Sequence, residues 1–245
     1  MSDLSERNAS EDAVEVELSR LRAATDREPD LSPMLGELHA RISQGDTALE
    51  GVRALPSGWR LSIAALSALA IVLLVLLLMP QPELADYPRA RLLPVMGALG
   101  VLLWPTLRAA LRPLHLPALG GGRAWLLWLV AAAATFGLAL LPAPEALLTD
   151  AAAAAGHDSL RHALPCLLFG LVTGAPVFAA IAVLDRGNRF APLLAAAAVG
   201  LVGNLSLQIH CALINRAHLL WGHAGVSVVA LLGGLLLWLA LRRRH

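Results

Sequence analysis

Eight histidines and two cysteines are the residues of this 245-residue chain best suited to holding a soft metal or doing thiol chemistry. Thiolate and imidazole ligate zinc, copper and similar cations, and two neighbouring thiols can instead close a disulfide. Their placement is uneven: His157, His162, Cys166, His210, Cys211, His218 and His223 crowd together, while His39, His115 and His245 stand apart. On a helix His162 and Cys166, four positions apart, share a face. His210 and Cys211 are adjacent, and the stretch ALINRAHLLWGH then returns His218 and His223. The candidate metal ligands are therefore Cys166, Cys211, His162, His210, His218 and His223, although no spacing among them matches a zinc finger or a metalloprotease. A Cys166–Cys211 disulfide is the competing reading, and it needs Cα atoms about 5–6 Å apart. Asn204, Ser206 and Gln208 approach His210 in two-residue steps, either as hydrogen-bonding glue between helices or as support for the cluster.

A membrane body must position these residues. The chain is 57% hydrophobic and 15% charged, against about 45–50% and 25% in soluble domains. Six stretches are apolar over the roughly 20 residues that a span requires: 61–79, 92–110, 124–142, 163–184, 190–209 and 224–241. Pro94 and Pro105 predict a kinked or partly re-entrant second stretch. Glycines inside the spans, with Gly170 and Gly174 as a small-xxx-small step, predict a packed bundle. The expected fold is all-α, a polytopic bundle of six transmembrane helices. Ten arginines flank one side of these spans (Arg53, Arg60, Arg108, Arg112, Arg123, Arg186, Arg189, Arg242, Arg243 and Arg244) and four the other (Arg89, Arg91, Arg161 and Arg216). Basic residues are retained in the cytoplasm, which predicts both termini inside and the histidine and cysteine cluster outside. Trp59, Trp125 and Trp221 fall at span ends as headgroup anchors.

The formal net charge of +1 is a cancellation. Residues 1–59 carry 12 acids against 6 arginines, and residues 60–245 carry 6 acids against 13. This division predicts two domains, an acidic cytoplasmic segment over 1–59 and a membrane domain over 60–245. It excludes a soluble secreted product and direct binding of nucleic acid through bulk positive charge. In the acidic segment Val14, Leu18 and Leu21 form one short amphipathic stripe, and Leu35, Leu38 and Ile42 form another after the start signal Ser32-Pro33. Neither stripe is large enough for a core. The segment is a short helical or partly disordered tail, solvated or folding on a basic, DNA-binding partner by helix-in-groove docking.

The second half resembles the NrsF-like membrane anti-sigma factors, six-span negative regulators of extracytoplasmic-function sigma factors. The resemblance rests on PCLLFGLVTGAPVFAAIAVLDRG, with Cys166 early in the fourth span and the turn Asp185-Arg186-Gly187 after it. It continues through the alanine- and glycine-rich fifth span ending in His210-Cys211, and the polar loop and histidine before the last span. It covers residues 160–240. It implies a multi-pass protein of a bacterial inner membrane that sequesters a sigma factor and senses metals or oxidants through Cys166 and Cys211. Zinc or another soft ion would then act as signal, with no fixed cofactor. Metal handling or transport is the alternative, disfavoured because the middles of the spans hold no Asp, Glu, His or Lys. The chain is not expected to be an enzyme, since the cluster lacks a nucleophile with a base and an orienting acid, and Asp150 and Asp158 are the only acids near it.

Overall fold

Leucine- and alanine-rich runs, bounded by proline and glycine, fold into helices throughout the described residues of a computed structural model, and no strand occurs among them. The described residues are 32–33, 48–80, 89–113, 116, 119–140, 159–211 and 216–243. The chain divides into two units, Met1–Thr47 and Ala48–His245. Only Ser32 and Pro33 of the first are described. The stripes Val14, Leu18, Leu21 and Leu35, Leu38, Ile42 lie outside the described residues.

The second unit runs through α1 (Ala48–Ala54), α2 (Ser57–Leu78), α3 (Arg89–Ala110), α4 (Gly121–Leu140), α5 (Ser159–Leu184), α6 (Ala191–His210) and α7 (Arg216–His218). A π-helical turn, Leu219–Ala224, joins α7 to α8 (Gly225–Arg242). Pro56, at φ −50°, leads into α2. That helix starts before the expected position 61 and includes Trp59 and Arg60. Pro94 and Pro105 sit within a single 22-residue α3, so the second stretch is one helix rather than a re-entrant hairpin. The last helix begins earlier than expected, because the π turn continues it without a break. His218 and His223, expected in the loop before that span, are consequently helical.

Among the described residues five helices are long and apolar enough to cross a membrane: Ser57–Leu78, Leu92–Ala110, Ala163–Leu184, Ala191–His210 and Leu219–Arg242. Their outward faces carry Leu66, Leu73, Leu77, Val101, Val172 and Leu236, all exposed. An apolar surface this extensive is lipid-facing rather than water-facing.

The centre of the bundle is α6, whose apolar window is 89% buried against 17–28% for the other four spans. A helix apolar on every side is a buried one, and the Ala195–Ala198 run with Gly200 and Gly203 lets neighbours approach from all directions. A Cβ on Gly174 of α5 would lie 2.7 Å from the Val199 carbonyl oxygen of α6, and one on Gly200 would lie 2.7 Å from Ser227 Oγ of α8. Gly170 and Gly203 meet directly, so the small-xxx-small step is the α5–α6 contact. Gly97, Gly100, Gly137 and Gly233 have open space instead.

The helix ends gather into two sets. Met79, Cys166, His210, Cys211 and His218 meet at one end of the bundle. Arg53, Arg60, Ala110, Trp125, Leu184, Phe190 and Trp238 mark the other through their mutual contacts.

Candidate thiol and metal site

Cys166 lies near the start of α5, held against the bundle by buried Ala163. Cys211 caps α6 in an extended conformation (φ −103°, ψ 118°), with its N–H still bonded to the Leu207 carbonyl at 2.9 Å. The chain therefore leaves the helix at the residue that presents the thiol. The two Sγ atoms are 3.6 Å apart and no disulfide joins them. A disulfide needs about 2.0 Å, whereas two sulfurs on a tetrahedral zinc with Zn–S near 2.3 Å stand about 3.8 Å apart. The thiols are thus spaced for a metal and one short movement from a covalent bond.

His218 completes the group. Its Nε2 is 3.1 Å from Cys211 Sγ, and the ligand atoms of Cys166, Cys211 and His218 all lie within 4.8 Å of one another. Two soft sulfurs and one imidazole nitrogen form a donor set that favours zinc or cadmium over hard cations.

The π turn explains how one helix brings both histidines to this end. In an α-helix residues five apart are separated by about 140° around the axis. Widening the turn to i→i+5 bonding brings them back toward the same side. His223 is 3% exposed, its ring is 5.6 Å from that of His218, edge to face, and neither of its nitrogens has a hydrogen-bond partner. An imidazole buried in that state is costly unless something binds it.

The remaining sequence candidates go elsewhere. His210 Nδ1 is 2.9 Å from the Met79 carbonyl, which requires that nitrogen to carry the proton, and its ring stacks on Phe169 at 4.2 Å. His210 thus ties α2 to α6 beside the three-atom group. His162 is in the first turns of α5, and its side chain, like His157, lies outside the described residues. Asn204 Nδ2 donates to the Gly200 carbonyl at 2.8 Å and to Ser227 Oγ at 3.2 Å, across to α8. It is glue between helices.

Sequence reasoning missed what the arginines do at the opposite end. Arg60 is 1% exposed, and its Nη1 donates to the Leu184 carbonyl at 3.0 Å. Arg53 Nε donates to the Val183 carbonyl at 3.1 Å. Arg186 returns the contact, donating from Nε to the Arg53 carbonyl and from Nη2 to the Leu55 carbonyl at 3.1 Å. The turn after α5 is built to hold Arg186 there. Asp185 accepts from the Asn188 N–H at 3.0 Å and the Gly187 N–H at 3.2 Å, Gly187 adopts φ +94°, and Asn188 Nδ2 donates to the Ala109 and Ala110 carbonyls at the end of α3. Burial pushes the Asp185 carboxyl above its ordinary range, opposed by the N–H groups of Asn188, Gly187 and Arg186 and by the Arg53 charge. The signal for this turn is in the sequence: Asp-x-Gly-Asn is turn chemistry set between two spans.

One helix thus carries both ends, because α5 holds Cys166 near its start and gives the Val183 and Leu184 carbonyls to Arg53 and Arg60 at its finish. No protein-family model matches the chain, and no curated protein or solved structure is significantly similar to it.

Proposed function

We propose that this chain is a membrane anti-sigma factor that releases an extracytoplasmic-function sigma factor when a soft metal or an oxidant acts on Cys166 and Cys211. The observation that carries this reading is the convergence of Cys166, Cys211 and His218 within 4.8 Å at one end of an apolar bundle. His223, buried beside His218 with both nitrogens unpartnered, stands outside that group, so the fourth position on a tetrahedral ion would fall to another donor. The resemblance to NrsF-like proteins supplies the sigma factor. We place α4 as a sixth span, the arginine-rich end and both termini in the cytoplasm of a bacterial cell, and the thiols on the outer side of its inner membrane.

The transmission route is α5. Metal binding would draw the two sulfurs and the His218 imidazole onto one centre. Oxidation instead joins the sulfurs: each thiol gives up one proton and one electron, and a peroxide takes up both pairs to leave as two waters. Either event shifts the start of α5 against α6, and the displacement reaches the Val183 and Leu184 carbonyls that hold α1. Residues 1–47 precede α1 directly, so a loosened α1 alters the segment that grips the sigma factor. Turning a 1:99 equilibrium to 99:1 takes about 5.5 kcal/mol of differential affinity, within the roughly 10–16 kcal/mol of a structural zinc site.

The test is a sigma-dependent reporter in cells carrying the wild-type protein or Cys166→Ser/Cys211→Ser. Induction by cadmium, zinc or peroxide should disappear in the variant while repression persists. Unchanged induction overturns the sensing role. Deletion of residues 1–50 should give constitutive reporter activity, and retained repression would remove that segment as the gripping element.

A further inference from the structure

A second site lies at the arginine-rich end, away from the thiols. A cavity of about 570 Å³ opens between the start of α4, the turn after α5, the first turn of α6 and the end of α8. Its floor is aromatic: Trp125 meets Trp238 edge to face at 5.8 Å, and Phe190 stacks on Trp238 at 6.1 Å. Two guanidiniums rest on this stack, Arg189 at 4.7 Å from the Phe190 ring and Arg242 at 5.4 Å from the Trp238 ring. Stacking fixes an arginine by its face and leaves the N–H edge free to donate.

Neither arginine pairs with a carboxylate among the described residues. Among the described residues that line the cavity the one acid, Asp185, is already bonded to the Gly187 and Asn188 N–H groups. On the other side of the same turn is a cavity of about 350 Å³ that shares Arg189 and adds Arg186 and Arg112. Arg112 Nε is buried there without a hydrogen-bond partner. Two basic hollows, one floored by tryptophans, thus flank a turn at the ends of apolar helices. Tryptophan favours the headgroup layer, and basic pockets between membrane helices take phospholipid head groups.

We infer that this end binds an anionic phospholipid, its phosphate held between Arg189 and Arg242 and its glycerol and upper acyl chains lying on Trp125, Trp238 and Leu241. The charge fits a phosphodiester. The aromatic floor and the position at the span ends fit a lipid better than a free anion, which needs no apolar surface. The inference does not depend on the thiol site.

The experiment is native mass spectrometry of the full-length protein exchanged into mixed micelles of phosphatidylglycerol and phosphatidylcholine. The wild-type protein should retain phosphatidylglycerol in preference, and equal retention of the two lipids overturns the proposal without recourse to any variant. Arg189→Gln/Arg242→Gln should lower phosphatidylglycerol retention about 30-fold, the equivalent of about 2 kcal/mol for two surface charges. Arg108→Gln/Arg123→Gln removes the same charge from exposed positions outside both cavities and should keep the preference. An equal loss in both pairs would reduce the effect to bulk charge and overturn the site. Displacement of the lipid by millimolar inorganic phosphate would make it an anion site rather than a lipid site, and also overturns the proposal.

Discussion

Arg53 and Arg186 clasp each other's chain segments through the backbone: Arg53 Nε donates to the Val183 carbonyl, and Arg186 Nε donates to the carbonyl of Arg53 itself. Two like charges share this corner because each is spent on carbonyl oxygens, which accept from any cation and carry no charge to lose. Arg60 reinforces the clasp from inside, at the Leu184 carbonyl. The three bonds fasten α1 and the start of α2 to the end of α5.

The buried member of this set should matter most. Arg60→Met leaves the buried Leu184 carbonyl without its donor, a loss of about 1–3 kcal/mol. Arg53→Gln removes an exposed bond worth about 1 kcal/mol or less. Thermal unfolding of the detergent-solubilised protein should therefore separate the two, while amide exchange over residues 48–55 rises in both. Identical midpoints would contradict the ranking by burial.

The thiol pair should oxidise within one chain. Diamide or peroxide should lower the intact mass by two hydrogens and protect both cysteines from alkylation, because closing 3.6 Å to bonding distance requires only a short approach. Dimers linked through Cys166 or Cys211 as the main product would show that the two thiols are not neighbours. Before oxidation the protein should bind about one cadmium per chain, with sulfur-to-metal charge-transfer absorption. His218→Ala should weaken binding about tenfold or more, since even partners of ligands cost that much.

Glycines that look alike in sequence should separate by what they face. Gly174→Ala forces a methyl to 2.7 Å from the Val199 carbonyl oxygen and should cost about 1–3 kcal/mol by overpacking. Gly97→Ala meets nothing within 4 Å and should stabilise α3 by up to about 1 kcal/mol. Unfolding midpoints of the two variants on either side of wild type are expected, and a loss of stability in Gly97→Ala would place an unseen surface against α3.

Asp185 gives the arginine-rich end a pH dependence of defined sign. Its carboxyl is held above the ordinary range by burial, so the unfolded chain releases this proton first as pH rises. The group's contribution is then fully present below the unfolded carboxylate pKa and declines as pH passes the raised folded value. Stability measured from mildly acidic to neutral pH should fall by this amount in wild type. Asp185→Asn, which keeps one oxygen for the Asn188 N–H and gives up the acceptor of the Gly187 N–H, should flatten that slope, and an unaltered slope would assign it to another group.

The all-helical, apolar character of the bundle and the crowding of Cys166, Cys211 and His218 at one end were legible because hydropathy and the alternation of apolar stretches depend only on local composition. Alternation puts the start of one span beside the end of the next, and that alone pairs Cys166 with Cys211. It could not separate His210 from His218. His210 is diverted by the Met79 carbonyl and the Phe169 ring, contacts across long sequence separations that leave no periodic trace. His218 and His223 read as loop residues because five-residue spacing fits no α-helical face. The arginines read as topology markers because a positive-inside count registers where a charge sits and is blind to which carbonyl it holds.

The π turn between Leu219 and Ala224 makes chain length itself a control on the site. Deleting any one residue there would return the helix to α geometry, rotating His218 by about 100° around the axis while Gly225–Arg242 kept its packing on α6. A homologous chain shorter by that single residue would have the same bundle and a thiol pair with no imidazole beside it. Within such a lineage, counting residues between the His-Cys pair and the last span would sort imidazole-supported thiol sites from bare ones.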